Sequence, residues 1–186
     1  MVLLFSSIIN YTKKSLRPHG LGDFSVRGVF LQPHSDASVE RLRGNPKYYM
    51  AGSRTVLMEF AYEASYTWIM QTVSEVRQMG LQPVLAHAER YECLYKGRDR
   101  VAELKTQGAY IQINCESILG KCGRKAKHFC MKLLKEDQID LMASDAHDTE
   151  YRIVNIREAA ELISRKFGQE KVETIFIHIP KKIILT

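Results

Sequence analysis

The sequence predicts an α/β fold: a parallel sheet covered by helices. Three observations carry this. From about Arg54 onward, short apolar runs alternate with amphipathic segments four times. Strands separated by helical stretches of about 10 or more residues mark βαβ units. Polar residues also collect at the C-terminal ends of the apolar runs, at Glu59, His87, Asn114, Asp145 and His147. In parallel α/β folds the βα loops converge on that edge, and ligands bind there.

Each element has its own signal. The run "RTVLMEFA" is apolar, β-branched near its start and preceded by the turn pair Gly52-Ser53, which predicts the first regular strand. Ile69, Thr72, Val73, Val76 and Met79 recur at helical spacing, and Gly80 stands where a helix stops. "PVLAH" is the next strand. A helix over about Val101–Gln107 follows, closed by Gly108. "AYIQIN" alternates as a strand does. Ala126, Phe129, Cys130, Leu133 and Leu134 line one face of a long helix. "IDLMASD" is a further strand. Ile153, Ile156, Ala160, Ile163 and Phe167 mark a helix ended by Gly168, and a last short helix covers about Gln169–Phe176, before Pro180.

The amino-terminal segment is different. Residues 1–37 form a basic leader without a clear period, and residues 38–186 form the β/α domain. "SVRGVFLQ" is a candidate strand, and "SVERLRG" a candidate short helix with Ser38 as N-cap. Residues 1–54 hold eight Lys/Arg against three Asp/Glu, most of the net charge of +6. The segment carries no known nucleic-acid motif, so nucleic acid is not expected as a partner. No apolar run approaches the roughly 18–20 residues of a membrane span. "MVLLFSSII" lacks the basic flank and cleavage pattern of a signal peptide. Cys93, Cys115, Cys122 and Cys130 show no metal spacing and read as free thiols in a reducing cytoplasm.

Asp145 and His147, two apart in "ASDAHD", point to one side if the backbone stays extended. A carboxylate and an imidazole so placed form a natural ligand pair for Mn, Fe or Zn. Alone, the pair reads equally well as a helix N-cap and a surface histidine. His87 alone reads as a hydrogen-bonded core histidine, and Glu59 as half of a buried salt bridge, with Arg90 a candidate partner. Glu89 reads as a loop salt bridge. Together, Glu59, His87, Asp145 and His147 form a carboxylate-rich set that suits Mn or Fe better than structural zinc. Arg90 and Arg152 follow the histidines closely and have the fork that holds phosphate bidentately. Tyr91, Asn114 and Gln112 are candidate lining residues. A cysteine phosphatase loop is a competing reading that the spacing disfavours. Six residues beyond Cys93, Cys115, Cys122 and Cys130 stand Asp99, Lys121, His128 and Glu136, where that loop needs arginine.

The ordered stretches "MAGSRTVLMEF", "LQPVLAHAERYE", "GAYIQINCESILGKCGRKAKHF" and "LMASDAHD" resemble the motifs of manganese-dependent bacterial protein-tyrosine phosphatases. These belong to the polymerase-and-histidinol-phosphatase superfamily and act in capsule and exopolysaccharide synthesis. The resemblance implies a distorted β/α barrel with a trinuclear metal centre at the strands' C-terminal ends. It implies that Glu59, His87, Asp145 and His147 are metal ligands for Mn2+, with Fe or Zn as alternatives. Arg90 and Arg152 would contact the phosphate. The implied partner is the phosphorylated tyrosine-rich tail of a bacterial tyrosine kinase; a homo-oligomer is a further expectation.

The sequence also departs from that pattern. The family opens with a His-x-His pair, and none of the six histidines here forms one. A barrel of this class needs about 250 residues. The expectation is therefore an incomplete barrel whose first strands are replaced by the leader. It would hold one or two metals weakly and turn over slowly, or serve as a non-catalytic binding module on the same fold.

Overall fold

The computed structural model describes residues 29–31, 39–50, 53–97, 99–144 and 155–184. Among the described residues, five parallel strands lie side by side in chain order: β1 (Val29–Leu31), β2 (Thr55–Phe60), β3 (Gln82–Leu85), β4 (Tyr110–Asn114) and β5 (Leu141–Ala143). The order never reverses. Every crossover steps the same way, so the crossover helices fall on one face. That is the winding of a β/α barrel, not of a doubly wound sheet with a switch point. Among the described residues the sheet is open, with no pairing between β1 and β5.

The four strands expected after Arg54 are all present, and β1 falls in the candidate strand "SVRGVFLQ". Val39 and Glu40 are helical and run into turns closed by the Leu42 N–H to the Val39 carbonyl and the Arg43 N–H to the Glu40 carbonyl. Ser38, the expected N-cap, lies outside the described residues.

The helices follow their periodicities. In α1 (Tyr66–Gln78), Ile69, Thr72, Val73 and Val76 are buried, and the Ser65 hydroxyl caps the first turn by accepting the Trp68 N–H at 3.2 Å. Gly80, at φ +70°, ends the segment in the left-handed region that glycine enters without steric cost. Two helices fill the following connection, α2 (Glu92–Tyr95) and α3 (Arg100–Thr106). After β4 come α4 (Cys115–Leu119) and α5 (Arg124–Lys135), the latter burying the five residues expected of it. The segment after β5 contains α6 (Ile156–Phe167), and α7 (Gln169–Glu173) follows. Ile153, the first residue of the expected α6 stripe, lies outside the described residues.

The carboxyl terminus departs from expectation. The chain does not leave the helix before Pro180. A π-helical turn, Thr174–His178, leads directly into α8 (Ile179–Ile184). Proline lacks the N–H that an inner helical turn requires. Here it occupies the second position of α8, immediately after the wide π turn, where the regular ladder is already interrupted.

Strand alternation sorts the sheet into two faces. Val56, Met58, Phe60, Leu85, Ile111, Ile113 and Met142 join the main core beneath the helices. Leu57, Val84, Ala86, Leu141 and Ala143 form a smaller cluster on the opposite, inner face. That cluster is closed by Met50 and by Ile183 of α8, with Ile179 packed against it. The Thr55 hydroxyl adds a long bond of 3.4 Å to the Ile183 carbonyl. The inner face is thus apolar at its base and covered there by α8.

Candidate metal and anion site

The polar residues start where the inner apolar cluster ends. Glu59 is the penultimate residue of β2 and shares Leu57's face, opposite Phe30 of β1 in register. Its side chain is 14% exposed, which leaves it reachable but poorly solvated. His87 follows β3 by two residues and is 6% exposed. The His87 Nε2 and Glu59 Oε2 atoms lie 3.6 Å apart.

The backbone creates that encounter. Ala86 still belongs to the sheet, its N–H donating to the Met58 carbonyl at 3.0 Å. His87 then adopts φ 35°, ψ 53°, the left-handed region. A non-glycine residue pays roughly 1–2 kcal/mol for this conformation. A backbone hydrogen bond holds it there: the His87 N–H donates to Gln112 Oε1 at 2.7 Å. Gln112 in turn donates from Nε2 to Asn114 Oδ1 at 3.0 Å. Both are buried inner-face residues of β4.

Glu89 is not in a loop salt bridge. It is 4% exposed, and its Oε1 accepts the Asn114 N–H at 3.1 Å and the Ser117 hydroxyl at 2.8 Å. The carboxylate therefore seats the 3-10 turn Ala88–Arg90 against the start of α4. Burial pushes its pKa up, against the lowering effect of those hydrogen bonds. Charge alone gave no sign of this role in the sequence. The polar pair Asn114 and Ser117 at a strand-to-helix junction was the available clue.

Arg90 does not pair with Glu59. Its Nη2 faces Glu116 Oε1 of α4 at 3.8 Å, with both side chains about one-fifth exposed. Tyr91, expected beside the substrate, is completely buried, and its hydroxyl oxygen accepts the Phe60 N–H at 3.0 Å. It braces the end of β2 from behind instead of lining a surface. Asn114 is likewise fully buried at the end of β4. Asp145, His147 and Arg152 lie outside the described residues. Among the described residues, no group of three or more His, Cys, Asp and Glu stands together.

The Glu59–His87 pair has the chemistry and spacing of two metal ligands. Donor atoms about 2.0–2.2 Å from one ion lie roughly 3–3.5 Å apart at tetrahedral or octahedral angles, close to the 3.6 Å observed. The imidazole Nδ1 is buried and has no hydrogen-bond partner.

A family model for capsular polysaccharide synthesis, CpsB/CapC, matches residues 31–185. The chain belongs to this family. It is 31% identical over 153 residues to tyrosine-protein phosphatase CpsB of Streptococcus pneumoniae, covering 80% of this chain and 63% of that protein. It is 29% identical over 118 residues to tyrosine-protein phosphatase YwqE of Bacillus subtilis, covering 63% of this chain and 46% of that one. The chain thus spans less than two thirds of the length of these curated relatives. A solved structure, described with those of YwqE and CpsB as unique metal-dependent tyrosine phosphatases, superposes with a TM-score of 0.76. It covers 95% of this chain and 69% of that chain at 21% identity, and so shows a shared CpsB/YwqE-type fold.

Proposed function

We propose that this CpsB/CapC chain is a metal-dependent phosphatase acting on phosphotyrosine in a partner protein. The partner is the tyrosine-rich tail of a bacterial tyrosine kinase that controls capsule or exopolysaccharide assembly. The observation that carries the reading is the convergence of Glu59 and His87 to 3.6 Å at the C-terminal ends of adjacent parallel strands, with Arg90 one turn away. Glu59, His87, Asp145 and His147 would hold Mn2+, with Fe or Zn as alternatives. When bound, such an ion lowers the pKa of water and offsets charge on the phosphoryl oxygens. Arg90 and Arg152 hold and orient the phosphoryl group through paired N–H donors. Gln112 fixes the histidine's backbone, and Tyr91 fixes the strand that carries the glutamate.

Four ligands hold one or two ions, so this chain binds fewer than three and turns over slowly. A second reading, a binding module without turnover, is favoured by the absence of His-x-His from the 186 residues. Metal analysis beside a Mn2+-dependent assay on a phosphotyrosine peptide separates the two, with His87→Ala as control. The phosphatase reading expects Mn2+-dependent release of phosphate that H87A reduces to background. Peptide binding without turnover selects the binding module, and turnover untouched by H87A removes the site assignment.

A further inference from the structure

A cavity of about 440 Å³ lies between α2 and α5, outside the Glu59–His87 site. Its floor is aromatic: Tyr95 and Phe129 stack with centroids 4.3 Å apart at 29°. Its walls are basic, formed by Arg124, Lys125, His128 and Lys132, and among the described residues no acidic side chain lines it. Lys125 Nζ sits 4.8 Å above the Tyr95 ring. Among the described residues no carboxylate pairs with Arg124, Lys125 or His128; Lys132 reaches Glu136 at 3.9 Å on the exposed surface.

The cavity adjoins the candidate site. The Tyr95 hydroxyl donates to the Glu89 carbonyl, in the turn that carries Arg90. The same turn packs against α5. In a βα unit the helix starts at the strand's C-terminal edge, so Arg124 and Lys125, the first residues of α5, stand at the edge that carries Glu59 and His87.

We infer that this cavity is a second subsite for the peptide substrate, binding a phosphotyrosine or acidic side chain next to the one being hydrolysed. The inference rests on the phosphatase reading above. A phosphotyrosine presents a flat ring and about −1.5 to −2 charge, which matches an aromatic floor flanked by Arg124 and Lys125, neither paired with a carboxylate among the described residues. The volume suits one side chain. Single-stranded nucleic acid needs a long basic groove with successive stacking platforms, and the described residues here offer one stacked pair in one partly open pocket.

The test is fluorescence anisotropy with a fluorescein-labelled peptide carrying two phosphotyrosines, in EDTA so that no metal contributes. All four altered arginines and lysines are exposed. The variant Arg124→Glu/Lys125→Glu should weaken binding at least about tenfold, the scale of one or two charge-assisted contacts. The control Arg165→Glu/Lys166→Glu on α6 has the same charge change and should stay within about twofold. The unphosphorylated peptide should not bind. Inorganic phosphate should compete only at far higher concentration than phosphopeptide. The inference is overturned if the α5 variant matches its control, or if an oligoribonucleotide competes better than phosphopeptide. Loss of Mn2+-dependent turnover in H87A is read separately, so failure of the phosphatase reading leaves its own signature.

Discussion

Tyr91→Phe isolates one hydrogen bond in this structure. Tyr91 is completely buried, and its oxygen accepts the Phe60 N–H at 3.0 Å. Its ring stands edge-on to Phe60, 6.0 Å between centroids, and lies 5.8 Å from the His87 ring. Phenylalanine keeps these contacts and removes only the acceptor. Burial holds the phenol's pKa above its usual value, so it is neutral at pH 7 and no charge changes. Phe60 is 3% exposed, so water does not replace the lost partner. An unpaired buried donor costs about 1–3 kcal/mol, and losing a buried hydroxyl offsets part of that, leaving about 1–2. For a chain of this size each kcal/mol moves Tm by roughly 2–4 °C. The expected fall is therefore about 2–8 °C, read by circular dichroism at pH 7. A Tm within about 1 °C of the parent, together with a several-fold higher KM for phosphopeptide, would refute the bracing role and restore Tyr91 as a substrate contact.

Other expectations use the same reasoning. Asp140 accepts the Ile111 N–H at 2.8 Å and Lys105 Nζ at 2.6 Å, tying β4 to the start of β5; D140A should lower the urea-unfolding free energy by about 2–4 kcal/mol. Gln112→Leu removes the acceptor that holds His87 in its left-handed turn; it should weaken Mn2+ binding about 10–100-fold, the usual effect of losing a ligand's support, as measured by metal titration, and an unchanged affinity counts against the turn's role. Burial raises the thiol pKa of Cys115 and Cys130 above the unfolded value. The folded state then holds those protons longer, so stability is intact below about pH 8.5, the unfolded pKa, and falls above it; urea curves at pH 7 and 9.5 read this. A disulfide-exchange reagent should reach exposed Cys122 in the native protein, and Cys115 and Cys130 only after unfolding.

Most of the sheet was legible because parallel strands buried on both faces are written as apolar runs. Val56–Met58, Pro83–Ala86 and Ile111–Ile113 needed no tertiary information. The helices were legible from their buried stripes and from the glycines at their ends. What the sequence hid were the effects of neighbours far along the chain. Glu89 reads as a solvated loop charge until β4 and α4 place Asn114 and Ser117 against it, 25 and 28 residues on. Tyr91 sits among polar residues in "HAERYE", yet its ring belongs to the core. Pro180 signals a helix end locally, but the packing of Ile179 and Ile183 on the inner face carries the helix past it. Short helices such as α2 and α4 hold too few turns to show a period.

His87 gives the sharpest case, because alternation alone sends it the wrong way. Leu85 faces the helices and Ala86 the inner cluster. An extended continuation would therefore turn His87 back toward the helices, away from Glu59. The left-handed turn at φ 35° breaks the alternation and brings the imidazole to the glutamate's side. A residue chosen only for packing has no reason to bear that strain, since glycine or asparagine would fit the turn at lower cost. Strain of this kind persists where the surrounding structure fixes it, commonly at functional sites. Here Gln112 fixes it from β4, and Glu89 fixes the turn that follows from beneath α4. The histidine's orientation is thus specified by three separate segments of the chain, although in the sequence it reads only as the end of a strand.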